Sequence, residues 1–471
     1  MGQEENVYED CSSAYRKSKT CAEQAEVSEI VNLCSRFVSL WGSPCRSIEY
    51  NLPVMLKRLF KQTDIPSEYQ SNFHHLYFDI AWFGVLSGSA VNFLNVYATR
   101  IGATGFQIGL IGAMSAAVSL FLAIPSSRWL QKRSTRKAIF WTSVFYRAGF
   151  FLFIFLPLLL NESQQIFAII IITFVMAIPL TPLGVGFNAL FAEAVPNEYR
   201  AHVAGIRNVM FALMFMLTSV VSGTILDRLP FPVGYQIIFS IGAFGAAMSS
   251  YHIYFIRPLQ MDLHPPPSQP APDSASQASP PRNVSSVLRL DIWRTRFKNV
   301  LLTFFAFHIA QYLPVPIFPI YNVRVLQLTD NNLGIGTACF YLSVLIGSTQ
   351  LRRFAHKIGN RNLTGWSVAL MAVYPFLLSM STQVWHFYGL SLIGGLGFAM
   401  VSGAYANYML EHIPPDDRPS HLAWYNVILN AAILIGSMAG PIIGDSLGLS
   451  QALMLIAALR FLSGLAILKW G

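Results

Sequence analysis

Charged residues are scarce: Asp, Glu, Lys and Arg supply 12% of 471 residues, against roughly 25% in a soluble globular domain, while 54% are apolar. That balance excludes the ordinary soluble class and points to a membrane protein. The first 71 residues, with ten acids and eight bases, lack the apolar core of a signal peptide. Metal-ligand spacing is also missing. Cys11, Cys21, Cys34 and Cys45 match no zinc motif, no histidine precedes His74, and Cys339 stands alone in a later apolar run. In a reducing cytoplasm these are free thiols. No Walker loop occurs, so ATP-driven transport is not expected. His74 and Asp79 share the spacing of an acyltransferase His-x4-Asp motif, but five residues along a helix set them on different faces.

What is present is a series of apolar runs of about 20 residues, the length that crosses a bilayer. Six lie near 73–98, 106–127, 138–160, 166–191, 202–226 and 234–256, and six more near 299–322, 332–351, 364–382, 384–410, 421–444 and 451–469. Lipid offers no partner to bare backbone and the runs exceed barrel strands, so they are expected to be helices. The expected fold class is an all-α membrane protein of twelve transmembrane helices in two six-helix bundles.

With the amino terminus inside, internal loops hold eighteen Lys and Arg and external loops three, Arg100, Arg228 and Arg324. By the positive-inside rule both termini are cytoplasmic. The net charge of +9 is therefore a topology signal, and no nucleic-acid partner is expected.

The organisation predicted is a cytoplasmic tail over 1–71, a bundle over 72–256, a linker over 257–298 and a second bundle over 299–471. "SEIVNLCSRFVSLW" and "NLPVMLKRLFK" in the tail are amphipathic, and the second is a candidate surface-lying lead-in. The Pro/Ser-rich stretch 264–286 reads as a flexible connector, and "RLDIWRTRFK" after it as a short helix on the inner leaflet. Asn161-Glu-Ser163 is a glycosylation sequon in an expected external loop.

The two halves repeat. "EAVPNEYRAHVAGIRN" from Glu193 pairs with "EHIPPDDRPSHLAWYN" from Glu411 at an offset of 218, and 93–137 pairs with 317–361 at 224, matching Tyr97 with Tyr321, Arg100 with Arg324 and Gly112 with Gly336. Charged positions kept at both connections mark two copies of one plan.

From 72 to 471 the chain resembles the major facilitator superfamily of secondary transporters. The twelve spans, the central linker, the loops "RWLQKRSTRK" and "RRFAHKIGNR", and the Glu-x-x-Pro-x-x-x-Arg segments carry the resemblance. In the first loop Leu130, Arg133, Arg136 and Lys137 match the family motif, while Lys132 stands at its Asp and Thr135 at a Gly. "GSMAGPIIG" looks like the family's antiporter motif but lies in the eleventh span, not the fifth.

The resemblance implies a secondary active transporter working by alternating access, with spans 1, 4, 7 and 10 lining the path. A nontransporting receptor or regulator on the same scaffold is the alternative. Basic loops and acids at the internal ends suit a reversible latch, since exposed pairs are worth only about 0–1 kcal/mol each. Its candidate members are Arg128, Arg133, Arg136, Lys137, Glu193, Arg200, Arg352, Arg361, Glu411 and Arg418. They equally serve as helix stops.

Candidates for the path are Asp79, Asn92, Asn95, Arg147, Asn188, His308, Gln311, Tyr312 and Asn407. Asp79 either pairs with Arg147 or faces the cavity as a proton site. His308 is a proton carrier or a packing histidine, and the asparagines are polar contacts or interhelical bonds. Arg460 snorkels or caps carbonyls. Pro314, Pro316 and Pro319 are expected to bend the seventh span beside a cavity. The expected partners are a small or amphipathic organic substrate, the plasma-membrane bilayer and a coupling proton. No cofactor, metal or catalytic group is implied, and a monomer is expected.

Overall fold

The structure, a computed structural model, describes residues 66–259, 289–414 and 417–471. The amphipathic tail segments, four of the cysteines and most of the linker lie outside these. The chain divides at Pro66, and all that follows concerns Ser67–Gly471.

Eleven helices among the described residues are long and apolar enough to cross a bilayer. They are α1 (Tyr69–Arg100), α2 (Gly105–Gln131), α3 (Thr135–Leu159), α4 (Glu162–Ala194), α5 (Asn197–Arg228), α6 (Val233–Phe255), α7 (Phe297–Val325), α8 (Asp330–Ile358), α10 (Val384–Glu411), α11 (Ser420–Leu447) and α12 (Leu449–Trp470). The remaining span, α9 over 360–378, is in two pieces, Asn360–Met371 and Val373–Leu378. The twelve spans expected are all present, and the ninth is broken. Pro375 is the cause: without an N–H it cannot bond the carbonyl of Met371 one turn earlier.

The seventh span breaks by the same physics. Pro314 leaves the Ala310 carbonyl without its helical donor, and the Val315 N–H turns back to the Tyr312 carbonyl at 3.3 Å. Buried Arg460 on α12 repairs both breaks. Its Nη2 donates to Ala310 O at 3.1 Å and Gln311 O at 3.2 Å, and its Nη1 to Met371 O at 3.2 Å. In hydrocarbon each unmet carbonyl is costly, so one planar five-donor fork closes three of them. Of the two roles open for Arg460, capping carbonyls is the one the structure contains.

Corresponding helices of the two halves are capped alike, one residue out of the 224 offset. Thr104 before α2 accepts from the Gln107 N–H at 3.3 Å, and Thr329 before α8 accepts from the Asn332 N–H at 3.2 Å. Asn161 of the sequon caps α4, accepting from the Gln164 N–H at 3.0 Å.

The "GSMAGPIIG" run is a packing feature. A Cβ on Gly440 would sit 1.9 Å from the Leu313 carbonyl oxygen of α7. On the neighbouring face of α11, the Ser437 carbonyl lies 2.3 Å from where a Cβ on Gly109 of α2 would stand. Small residues let backbones approach where lipid supplies no hydrophobic drive between helices. Gly223 and Gly334 do the same between α5 and α8.

The expected inner-leaflet helix is a single 3-10 turn, Leu290–Arg294. Ile292 is buried and Trp293 meets Trp424 edge-on, so the turn anchors on the second bundle.

Candidate functional site

Asp79 lies about three turns into α1, buried against α3, α5 and α6. Its carboxylate accepts from Ser249 Oγ at 2.5 Å and faces Arg147 Nη2 at 3.6 Å and Arg207 Nη2 at 3.4 Å. Arg147 also donates through Nη1 to Ser143 Oγ at 2.7 Å and Ser250 Oγ at 3.1 Å. The Asp79–Arg147 pair is thus formed. Arg207 is the group that sequence reasoning missed, since it was counted among the loop bases. It lies about three turns into α5, is buried, donates to Leu76 O at 3.1 Å and lies 4.7 Å above the Phe187 ring.

In the second bundle His308 is buried, its Nε2 3.1 Å from Tyr425 Oη. Its ring is 6.1 Å from Tyr405 and 6.5 Å from Tyr312. Gln311 and Asn95 each keep a buried amide oxygen without a partner among the described residues. Asn92 Nδ2 donates to Ser219 Oγ across to α5 at 3.0 Å, while Asn188 and Asn407 are exposed on α4 and α10.

Two ends of the molecule differ. At the end that the basic-loop count makes external the bundles are tied together. Arg100 at the end of α1 donates to Asp330 Oδ1 at 2.8 Å and 3.0 Å and to Leu328 O at 3.3 Å. Its repeat mate Arg324 at the end of α7 crosses the other way, to Ala103 O at 2.7 Å and Thr99 O at 3.4 Å. Tyr235 Oη also donates to Asp330 at 3.0 Å, and Asp227 Oδ1 accepts from the Asp330 and Asn331 N–H groups at 3.0 and 3.3 Å. Asp227 thereby caps α8 from the opposite bundle, where the helix dipole favours an anion. A cavity of about 330 Å³ lies at this seam, lined by Arg100, Asp227, Tyr235 and Asp330 among others. Sequence reasoning paired Arg100 with Arg324 in the repeat but assigned neither to a gate.

At the opposite end, internal by the same count, the expected latch residues bond inside their own bundle. Thr135 donates to Glu193 at 2.9 Å, and Asn360 donates to Glu411 at 2.6 Å, one contact in each repeat. Arg136 holds Tyr254 O at 2.6 Å, and Arg361, the repeat mate of the neighbouring Lys137, holds Leu468 O at 2.5 Å. Arg200 turns back to Ala192 O at 2.6 Å and Val195 O at 3.0 Å. Arg128, Arg133, Lys137 and Arg352 are exposed, with Arg133 over the Trp129 ring at 5.0 Å. The Arg418 side chain lies outside the described set. Among the described residues, then, the bundles bond to each other at one end and each within itself at the other.

A family model described as Major Facilitator Superfamily matches residues 80–337 and 300–470. Among curated relatives, the Staphyloferrin B transporter of Staphylococcus aureus is 27% identical over 180 residues, 37% of this chain and 43% of that protein. Multidrug resistance protein 2 of Bacillus subtilis is 21% identical over 150 residues, 32% of this chain and 37% of that one. These matches therefore span less than half of either relative. Among solved structures, the nucleoside transporter NupG superposes with a TM-score of 0.61 at 14% identity, covering 84% of this chain and 98% of that one. The D-xylose-proton symporter gives 0.63 at 14%, covering 85% and 97%. At such identities the structures show the shared fold.

Proposed function

The chain belongs to the major facilitator superfamily, and on that premise we propose that it is a secondary active transporter moving a small or amphipathic organic solute by alternating access. It is an integral multi-pass protein, and the excess of basic residues in alternate loops supports cytoplasmic termini. The plasma membrane is the site we assign it. The observation that carries the reading is the reciprocal pair Arg100 and Arg324, each donating across the seam to the other bundle. Two related bundles tied at one end only can exchange that tie for another.

In the alternate state Glu193 and Glu411 leave Thr135 and Asn360 for bases of the facing bundle, among Arg128, Arg133, Lys137 and Arg352. Exposed pairs of this kind exchange at little cost. The passage runs past His308, Gln311, Tyr312, Asn188 and Asn407. Asp79, already held by two guanidinium groups and a serine, acts in this reading as the strut that keeps α1, α3, α5 and α6 together. Proton coupling falls to His308, the titratable group nearest the tyrosine cluster.

Purified protein in sealed liposomes, offered a panel of labelled organic solutes, tests the function. Saturable flux supports it. Ligand binding without flux would mean a receptor, and flux indifferent to an imposed pH gradient and to His308→Gln would remove the proton.

A further inference from the structure

Three guanidinium groups are buried within the spans, Arg147, Arg207 and Arg460; the first two face one buried carboxylate, Asp79, and Arg460 faces none. Among the described residues the other carboxylates of the spans stand at helix ends. Asp227 and Asp330 belong to the external seam, and Glu193 and Glu411 to the internal ends. The core therefore holds a positive excess. Arg460 has three carbonyls to itself, whose partial charges offset part of it. Arg147 and Arg207 share one anion between them at 3.6 and 3.4 Å, and neither contact is a tight bidentate pair. Arg207 has its guanidinium against Phe187 and Phe191 of α4, one of the helices that line the path in this fold.

We propose that the passage selects organic anions: the unpaired charge at Arg147 and Arg207 attracts a carboxylate or sulfonate, and the rings of α4 and the His308 cluster take its apolar body. The inference rests on the transport reading and specifies its substrate class. A cation would meet no carboxylate in the middle of the path and would be repelled. One unit charge acting across about 10 Å at an effective dielectric of about 20 is worth roughly a 10- to 20-fold gain for an anion over a neutral body and a like loss for a cation. Low-dielectric walls carry that field into the water-filled path.

The test uses two probes of one shape, 2-naphthoate and 2-naphthylmethylamine, on the full-length protein in detergent. Binding is read by thermal shift. The expected result is a naphthoate affinity at least tenfold above that of the amine, reduced to parity by Arg207→Gln and retained by Arg207→Lys. Arg207→Lys also controls for folding, since it keeps the charge. Amine binding equal to or tighter than naphthoate, absence of naphthoate binding, or an unchanged preference in Arg207→Gln overturns the proposal. Flux of naphthoate in liposomes is scored separately: selective binding without flux would refute transport and leave the anion preference standing.

Discussion

Replacing Arg100 with glutamine removes the guanidinium that bonds Asp330 twice, at 2.8 and 3.0 Å. The Asp330 side chain is 9% exposed and that of Arg100 28%, so the pair is only partly screened. Breaking a buried pair from one side costs about 3–5 kcal/mol, because the remaining charge is left uncompensated. Here Tyr235 still donates to Asp330, and exposure at the arginine side screens the rest. A loss of about 2 kcal/mol is the reasonable figure for a charged hydrogen-bonded group. The loss falls on the externally closed state alone, since Arg100 and Asp330 sit on opposite bundles. It therefore raises the population open to the outside roughly 30-fold. A cysteine at Ser437, buried at the α2–α11 seam, reports that opening when the native cysteines have been replaced. Its reaction with a membrane-impermeant thiol reagent added outside accelerates about 30-fold in Arg100→Gln, and Asp330→Asn in the same chain removes part of the gain. An unchanged rate, with the fold intact, would refute the reasoning.

Three further outcomes follow from the packing. Gly440→Val drives α11 off the Leu313 carbonyl and costs at least about 2–4 kcal/mol in thermal stability; Gly205→Ala, where a Cβ meets nothing within 4 Å, is neutral or stabilising by up to about 1 kcal/mol. Arg460→Lys keeps the charge but one point donor replaces a fork, so the melting temperature falls; Arg460→Met leaves three carbonyls unmet and lowers it further. Asp79→Asn strands two guanidinium groups and costs about 3–5 kcal/mol, part of which Arg207→Gln restores. All three are read by thermal melting in detergent.

The spans and the repeat were legible because bilayer thickness imposes a length on every helix and duplication leaves matched charges behind. The proline break of α7 was legible for the same local reason. Pro375 was equally visible, yet its break in α9 was missed, because an apolar run of the right length reads as a continuous span. Arg207 shows a deeper limit. Near the start of a helix a base looks like a loop base, and only the three-dimensional path of α5 beside α1 brings it to Asp79. The "GSMAGPIIG" run carried a motif's spelling but owes its glycines to the Leu313 and Ile309 backbone of α7. Arg100 and Arg324 were paired by the repeat, and their partners lie 230 and 221 residues away in sequence. No periodicity reports a contact of that range.

Alternating access is the central claim, and paired distances test it most directly. Spin labels at Gln131 and Gln350, exposed near the internal ends of α2 and α8, report the internal opening. Labels at Gln164 and Gln383, exposed at the external ends of α4 and α10, report the external one. The account predicts that Arg100→Gln shortens the internal distance and lengthens the external one in the same molecules. Two distances that stay fixed, or that lengthen together, would contradict it.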